Sequence, residues 1–152
     1  MRIHVGADHA AFEAKRAISD ALRQQGYVVI DHGPTSFDPG DDYPRFVIPT
    51  AAAVVADRGS LGIVLGGSGN GEAIAANKVK GVRAALIHNR ETAQLAREHN
   101  DANVASIGAR QHDADYCVRL ALWFLEAAFT ADERHRRRLE LIDHYESTGS
   151  LD

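Results

Sequence analysis

LGIVLGGSGNG, at residues 61–71, joins an apolar run of strand length to a loop with four glycines in six positions. The apolar residues 61–65 predict a buried β-strand. The glycines that follow permit positive φ angles and a close approach of the backbone to a ligand. The helix predicted next, from Glu72 to Lys78, begins with free N–H groups that favour an anion. A strand, a glycine loop and a helix in this order are typical of an α/β protein.

Strands and helices alternate on both sides of this segment. Further strands are predicted at 1–6, 27–30, 82–87 and 104–107, and helices at 10–25, 44–59, 90–99, 113–129 and 132–146. Such alternation favours right-handed βαβ crossovers and a parallel sheet with helices on both faces. We therefore predict an α/β fold, a three-layer α/β/α sandwich with a Rossmann-like, five-stranded parallel sheet. Residues 1–146 form a single domain in this prediction, and the polar residues 147–152 form a flexible C-terminal tail.

The composition excludes several classes of protein. With 152 residues, 45% of them hydrophobic and 25% charged, the chain is globular rather than disordered. A net charge of -4 argues against a general partner for nucleic acid or for an anionic membrane. Cys117 is the single cysteine and has no internal disulfide partner, which favours a reducing compartment. No stretch approaches the roughly 20 apolar residues of a membrane span. We therefore expect a cytoplasmic protein with no nucleic-acid or membrane partner.

The glycine loop differs from the two common nucleotide-binding loops. A dinucleotide fingerprint has a third glycine where this chain has Glu72, and it normally follows the first strand. A P-loop continues with Lys and then Ser or Thr, whereas Glu72 and Ala73 follow Gly71 here. The Glu72 carboxylate would also repel phosphate groups. A tight turn without a ligand stays open as an interpretation, because glycines are common in turns.

The alternative for this loop is a site for a substrate that bears hydroxyl groups. The backbone N–H groups of residues 67–71 and the Ser68 hydroxyl would stabilise an oxyanion. Glu72 would take a proton, because burial by a substrate raises a glutamate pKa toward that of a base near neutral pH. Taken alone, Glu72 is more commonly a surface residue that complements the helix dipole. The loop beside it is what favours the functional interpretation.

Other polar residues lie at the ends of predicted strands and helices. In open parallel sheets ligands bind at the carboxyl ends of the strands, which singles out residues 8–9, 31–42 and 108–110. Asp8 taken alone is a natural N-cap. His99 and Asn100 end a helix, where a histidine often only complements the dipole. As functional residues they would shuttle a proton and hydrogen-bond a hydroxyl or oxyanion.

Neither a metal site nor a cofactor is predicted. The eight histidines form no HxH or HxxxH pair, and Cys117 lies in an apolar helical segment.

The last predicted helix carries a basic run at residues 134–138. A solvated basic face is the plain interpretation, and contact with nucleic acid is a second one. Arg134 and Arg138 are four residues apart, so they share one helical face and would grip a phosphate together. Because this helix lies beyond the sheet, these arginines would reach an active site only on a neighbouring subunit.

Five motifs in order along the chain resemble the type B ribose-5-phosphate isomerases, the family that also includes the galactose-6-phosphate isomerase subunits. They are GADHAA at 6–11, GGSGNGE at 66–72, AANKVKGVRA at 75–84, EHNDANV at 98–104 and GAR at 108–110. The resemblance covers Met1 to about Tyr145. It implies a metal-free, cofactor-free aldose–ketose isomerase that interconverts ribose 5-phosphate and ribulose 5-phosphate through a cis-enediolate. It also implies a homodimer, sometimes paired into a tetramer, with active sites shared between subunits.

The resemblance further implies a role for each matched residue. One branch of the family has a cysteine base at the place of Gly66, whereas this chain matches the branch in which Glu72 is the base. His99 would open the furanose ring with help from Asp8. The residues expected to hold the enediolate are Ser68, Asn100, Gly67, Gly69, Asn70 and Gly71. Those expected to bind the phosphate are Arg110, Arg134 and Arg138, with His9 and His135 as additions.

Three other functions stay open. The loop at residues 31–42 would set the length of the pocket, so a six-carbon sugar phosphate, allose or galactose 6-phosphate, is an alternative substrate. A non-catalytic sugar-phosphate binding protein is disfavoured by Glu72, His99 and Asp8 together, because pure binding requires no base. A nucleic-acid module that uses residues 134–138 would show salt-sensitive binding.

Overall fold

The computed structural model describes residues 1–152 and contains one five-stranded sheet in the order β2-β1-β3-β5-β4. All neighbouring strands are parallel. The strands are β1 Arg2–Ala7, β2 Val28–Asp31, β3 Leu61–Gly66, β4 Ala84–Leu86 and β5 Val104–Gly108. A 3-10 turn at His9–Ala11 precedes the helices α1 Phe12–Gln24, α2 Pro44–Ala56, α3 Asn70–Ala76, α4 Arg90–Glu98, α5 Ala114–Glu126 and α6 Glu133–Thr148. The predicted α/β/α sandwich with a five-stranded parallel sheet is confirmed.

Two apolar clusters cover the two faces of the sheet. The larger cluster contains residues of α1, α4 and α5, including Ile18 and Phe124, and packs them on one face. The smaller cluster contains residues of α2 and α3, with Val47 against the other face. Every residue of β3 is buried, and its neighbours Ile63 and Val64 belong to different clusters. A strand buried on both faces explains why residues 61–65 are continuously apolar.

Some boundaries differ from the prediction. Strand β4 begins later than the predicted residue 82, because the Arg83 N–H donates to the Asn103 side chain at 2.8 Å rather than to a strand, and it ends at Leu86. The last helix continues to Thr148, past the predicted start of the tail, and ends at Gly149, whose φ of 75° is left-handed. Glycine adopts that conformation without steric cost and is the usual residue there.

The parallel sheet has a carboxyl edge, where the strands end, and an amino edge, where they begin. The ends of β1, β3 and β5 are in register, with Ala7 opposite Leu65 and Gly66 opposite Gly108. The segments that follow these three strands therefore lie side by side at the carboxyl edge. Helix α6 lies at the amino edge, where its Asp143 contacts Arg83, the residue before β4. No helix is both long and apolar enough to cross a membrane.

Candidate active site

The glycine loop after β3 packs tightly against the end of β5. Gly69 has a φ of +80°, and a Cβ there would lie 2.7 Å from Leu86 Cδ1 and 3.0 Å from the Gly108 nitrogen. A Cβ on Gly108 would lie 2.5 Å from the Ser68 carbonyl oxygen. The buried Ser106 hydroxyl donates to the Gly69 carbonyl at 2.7 Å. These contacts hold the loop backbone in one place, as a site for a developing negative charge requires.

The start of α3 carries the polar groups of the loop. Ser68 and Asn70 are exposed, and the Asn70 N–H donates to the Ser68 hydroxyl oxygen at 3.2 Å. The Tyr43 ring covers Gly71, because a Cβ on that glycine would lie 2.7 Å from a ring carbon and 2.8 Å from the phenol oxygen. The sequence contains no signal that assigns Tyr43 to the site.

The Glu72 side chain lies beneath the loop and is 3% exposed. A Cβ on Gly66 would lie 1.8 Å from Glu72 Oε1, so the carboxyl group occupies the space that a side chain at residue 66 would need. Burial raises the pKa of Glu72, and the nearby charge of Asp8 raises it further. Hydrogen bonds from the N–H groups of Glu72 and Gly69 oppose this increase in the pKa. A carboxyl group with a raised pKa beside a rigid loop is suited to proton transfer.

Asp8 lies near this carboxyl group, directly after β1, and His9 follows it in the chain. Asp8 is 7% exposed, and its Oδ1 accepts from the Ala10 N–H at 2.9 Å, so it also caps the 3-10 turn. Asp41 from the loop before α2 contacts His9, with 2.7 Å between Asp41 Oδ1 and His9 Nδ1. Polar atoms of Asp8, His9 and Asp41 lie within 4.8 Å of one another, the one such group close enough to share a metal ion. The length of residues 31–42 was the only sequence signal that pointed to Asp41.

Arg110 adds a positive charge to the carboxyl edge. Its backbone N–H donates to the Gly67 carbonyl at 3.0 Å. Its Cδ and Nη1 lie 3.4 Å from where a Cβ on Gly67 would be, so the side chain crosses the loop at a glycine.

A second group of predicted residues lies at the amino edge. His99 ends α4, and its ring stacks on His135 of α6 with 4.2 Å between centroids. The Asn100 carbonyl accepts from Arg83 Nε at 3.0 Å, which ties this turn to the start of β4. The turn continues through Asp101, whose φ of 42° is left-handed.

Helix α6 gives the amino edge its positive charge. Arg134 and Arg138 are exposed and form no ion pair within the chain. His135 between them is 5% exposed and packs on His99 instead of sharing their exposed face. Burial lowers the pKa of His135, and nearby His99, Arg134 and Arg138 lower it further. The same positive charge that disfavours protonation of His135 would favour the binding of an anion.

The structure thus separates the predicted site residues into two half-sites. The carboxyl-edge half-site contains Asp8, His9, Gly67, Ser68, Gly69, Asn70, Gly71, Glu72 and Arg110. The amino-edge half-site contains His99, Asn100, Arg134 and Arg138, with His135 behind them. Strand β5 runs between the two edges, and its five residues span about 16 Å. The two half-sites of one chain therefore do not meet on one small ligand.

Comparisons with known proteins agree with this arrangement of motifs. The sequence profile of the Ribose/Galactose Isomerase family matches residues 3–142. The chain belongs to this family. "Ribose-5-phosphate isomerase B" of Mycobacterium leprae is 49% identical over 148 residues, which are 97% of this chain and 91% of that protein.

Solved structures in the Ribose/Galactose Isomerase family share the fold. Ribose-5-phosphate isomerase B of Clostridium thermocellum is 40% identical, with a TM-score of 0.93 over 99% of this chain and 100% of the other. The protein of that name from Mycoplasma genitalium, solved with bound ribulose-5-phosphate, is 38% identical. Its TM-score is 0.92, over 97% of each chain.

The resemblance of motifs places this chain in the branch with a glutamate at residue 72 and not in the branch with a cysteine at residue 66. The contact between Gly66 and Glu72 gives a physical reason for that difference, because the two side chains would occupy the same space. Cys117 offers no replacement, since it is fully buried in α5 and burial, with the Asp113 charge, raises its pKa to about 11. A thiol that stays protonated is a poor base.

Proposed function

We propose that this chain is an aldose–ketose isomerase that interconverts D-ribose 5-phosphate and D-ribulose 5-phosphate through a cis-enediolate. The observation that carries the proposal is the Glu72 carboxyl group, 3% exposed beneath a rigid glycine loop. Burying a carboxyl group is unfavourable, so a protein that only binds sugar phosphates would not need one here. The relative that holds ribulose-5-phosphate supports the choice of a five-carbon substrate.

Glu72 is the base in this proposal. It takes the proton from C2 of the open-chain aldose and returns it to C1, while the hydroxyl proton moves between the two oxygens. A raised pKa suits both steps, because the same group must accept a proton and then give it back. A well-placed general base of this kind contributes roughly 10²–10⁴-fold to the rate.

The glycine loop stabilises the enediolate. Negative charge develops on the C1 oxygen when the C2 proton leaves. Its donors are the exposed Ser68 hydroxyl, whose oxygen accepts from the Asn70 N–H, and the other backbone N–H groups of residues 67–71. Donors that are already fixed need no rearrangement as the charge forms. Removing one such donor costs on the order of 10²–10³-fold in turnover.

The active site is completed by a second copy of the chain. His99 of the partner subunit opens the furanose ring together with Asp8, and the partner subunit's Asn100 bonds the enediolate. Separation of the half-sites by a whole strand supports this arrangement, because a small sugar phosphate cannot reach both edges of one sheet. A two-fold dimer would form two equivalent sites, each from one carboxyl edge and one amino edge.

Exposed apolar side chains support self-association. Ile74 of α3 is 63% exposed, Leu86 of β4 is 40% exposed, and Ile142 and Tyr145 of α6 are more than half exposed. These residues lie on the elements that carry or adjoin the two half-sites. Exposed apolar residues on a small protein commonly mark an interface.

The phosphate is bound by arginines from both subunits, Arg110 of one and Arg134 and Arg138 of the other. The phosphate takes no part in the bonds that change, so its binding energy is available to position the reacting end of the sugar.

The free thiol of Cys117 fits a reducing compartment, and we place the protein in the cytoplasm.

The test is an isomerase assay with ribose 5-phosphate for the wild-type protein and for Glu72→Gln, with allose 6-phosphate in parallel. We expect turnover of the pentose phosphate, lowered roughly 10²–10⁴-fold in Glu72→Gln. Full activity of Glu72→Gln would show that Glu72 is not the base. Turnover of only the hexose phosphate would replace the proposed substrate, and turnover of neither would reduce the function to binding.

A further inference from the structure

Asp41 contacts His9 in a way that the proposed mechanism does not use. Asp41 lies in the segment between β2 and α2, and its side chain is 7% exposed. One carboxylate oxygen, Oδ1, accepts from the His9 backbone N–H at 3.0 Å and is 2.7 Å from His9 Nδ1. A single side chain therefore fixes both the backbone and the ring of His9.

The contact specifies which ring nitrogen of His9 carries a proton. An ionised carboxylate only accepts hydrogen bonds, so Nδ1 must be the donor. The other nitrogen, Nε2, has no hydrogen-bond partner within the chain, and the ring stays 25% exposed. Phe37 contacts the same ring edge-on, with 6.3 Å between centroids and 82° between planes. Asp41 thus fixes the ring at Nδ1, and Nε2 is left available to contact a ligand.

The second oxygen of Asp41 argues against a merely structural role. Asp41 Oδ2 is buried and has no hydrogen-bond partner. An unpaired buried carboxylate oxygen destabilises a fold, so packing alone would not favour aspartate here. The contact lies within the carboxyl-edge half-site, because polar atoms of Asp8, His9 and Asp41 are within 4.8 Å of one another.

We propose that Asp41 is a positioning residue, which holds His9 in the tautomer and orientation that present the unprotonated Nε2, a hydrogen-bond acceptor, to a hydroxyl group of the sugar phosphate. The inference rests on the proposed function, together with the expectation from the sequence that His9 binds the substrate. A carboxylate behind an imidazole fixes its tautomer and strengthens the interaction at the opposite nitrogen. The loop at residues 31–42 thereby acts on the substrate through His9.

A double-mutant cycle tests this dependence on His9. We expect Asp41→Ala to lower kcat/KM for ribose 5-phosphate by about 10- to 100-fold, the usual range for such outer partners. Asp42→Ala is the matched control, since Asp42 is the adjacent aspartate and is exposed, and it should leave kcat/KM unchanged. In a His9→Ala background, Asp41→Ala should cause no further loss. Multiplication of the two losses would overturn the proposal.

A second measurement needs no substrate. Nitrogen-15 spectra of the histidine rings, recorded where imidazoles are neutral, should show His9 protonated at Nδ1 in the wild-type protein. Asp41→Asn should change that His9 signal, while Asp42→Asn should not. An unchanged His9 tautomer in Asp41→Asn would contradict the positioning role. Because this result is independent of turnover, it separates failure of this inference from failure of the proposed isomerase activity.

Discussion

The two edges of the sheet differ in charge, in rigidity and in what they could do for a reaction. The carboxyl edge buries two carboxyl groups, Glu72 and Asp8, among glycines that leave no room for side chains. The amino edge instead presents Arg134 and Arg138 on the exposed face of a terminal helix. Proton transfer requires groups fixed to within a fraction of an ångström, whereas attraction of a phosphate tolerates longer, mobile side chains. The fold separates the groups suited to these two tasks, and in the proposed function a second copy brings them together.

The largest effect on the carboxyl edge is expected from a substitution that fills the space of the Glu72 carboxyl group. Gly66→Ala would place a Cβ 1.8 Å from Glu72 Oε1 and force the carboxyl group of the proposed base out of position. We expect turnover of ribose 5-phosphate to fall roughly 10²–10⁴-fold, the full contribution of a general base. Steady-state kinetics on the purified variant would measure this loss.

Gly62→Ala is the control for that substitution. It lies on the same strand, and its Cβ would meet Val54 Cγ2 at 2.7 Å, so it overpacks the core without reaching Glu72. Its folded fraction should keep wild-type turnover. Equal losses of turnover in both variants would show that Gly66→Ala acts through stability and not through the base.

The amino edge is tested by Arg134→Ala, with a smaller expected effect. A charged hydrogen bond contributes about 1.5–3 kcal/mol, so KM should rise by roughly 10- to 150-fold with little change in kcat. Arg137→Ala, on the same helix, is the control and should leave KM unchanged. A fall in kcat at constant KM would assign Arg134 to the chemical step. The two edges would then not have separate roles in proton transfer and phosphate binding.

The smallest effect concerns stability. Because burial raises the pKa of Glu72 in the folded chain, its ionised form is disfavoured there relative to the unfolded chain. Glu72→Gln should therefore unfold at a higher temperature than the wild-type protein at pH 7. This difference in unfolding temperature should shrink as the pH falls through the raised pKa of Glu72. It should disappear below the ordinary pKa of a glutamate, where the side chain of residue 72 is neutral in both proteins.

Thermal unfolding followed by circular dichroism between pH 3 and 8 would measure this difference. Glu13→Gln is the control, since Glu13 is exposed on α1. A loss of stability in Glu72→Gln at pH 7 would show that the carboxylate stabilises the fold rather than straining it.

The sequence predicted the carboxyl edge well because each residue there follows a strand directly. Asp8, Ser68 and Arg110 come within a few residues of the ends of β1, β3 and β5, and parallel strands bring those ends together. The glycine pattern at 66–71 likewise reflected close packing that the structure shows at Gly69 and Gly108. Local sequence and topology were sufficient for these residues.

The order of the motifs along the chain did not predict that His99 and Glu72 lie at opposite edges of the sheet. It follows from the direction of α4, which runs back across the sheet and ends at the edge opposite to the glycine loop. Asp41 and Tyr43 were missed for another reason. They reach the site from a loop without regular structure, whose path depends on tertiary contacts such as the hydrogen bonds to His9.

The most direct test of a site shared between two copies is complementation in mixed dimers. One variant carries Glu72→Gln, and the other carries His99→Ala together with Arg138→Ala, so each homodimer lacks one half of both sites. In a heterodimer one site combines the two intact halves and the other combines the two defective halves. After subunit exchange, with heterodimers confirmed by mass spectrometry, we expect about one quarter of the wild-type activity to return. No recovery in confirmed heterodimers would place Glu72 and His99 in a site made by one chain, contrary to the arrangement proposed here.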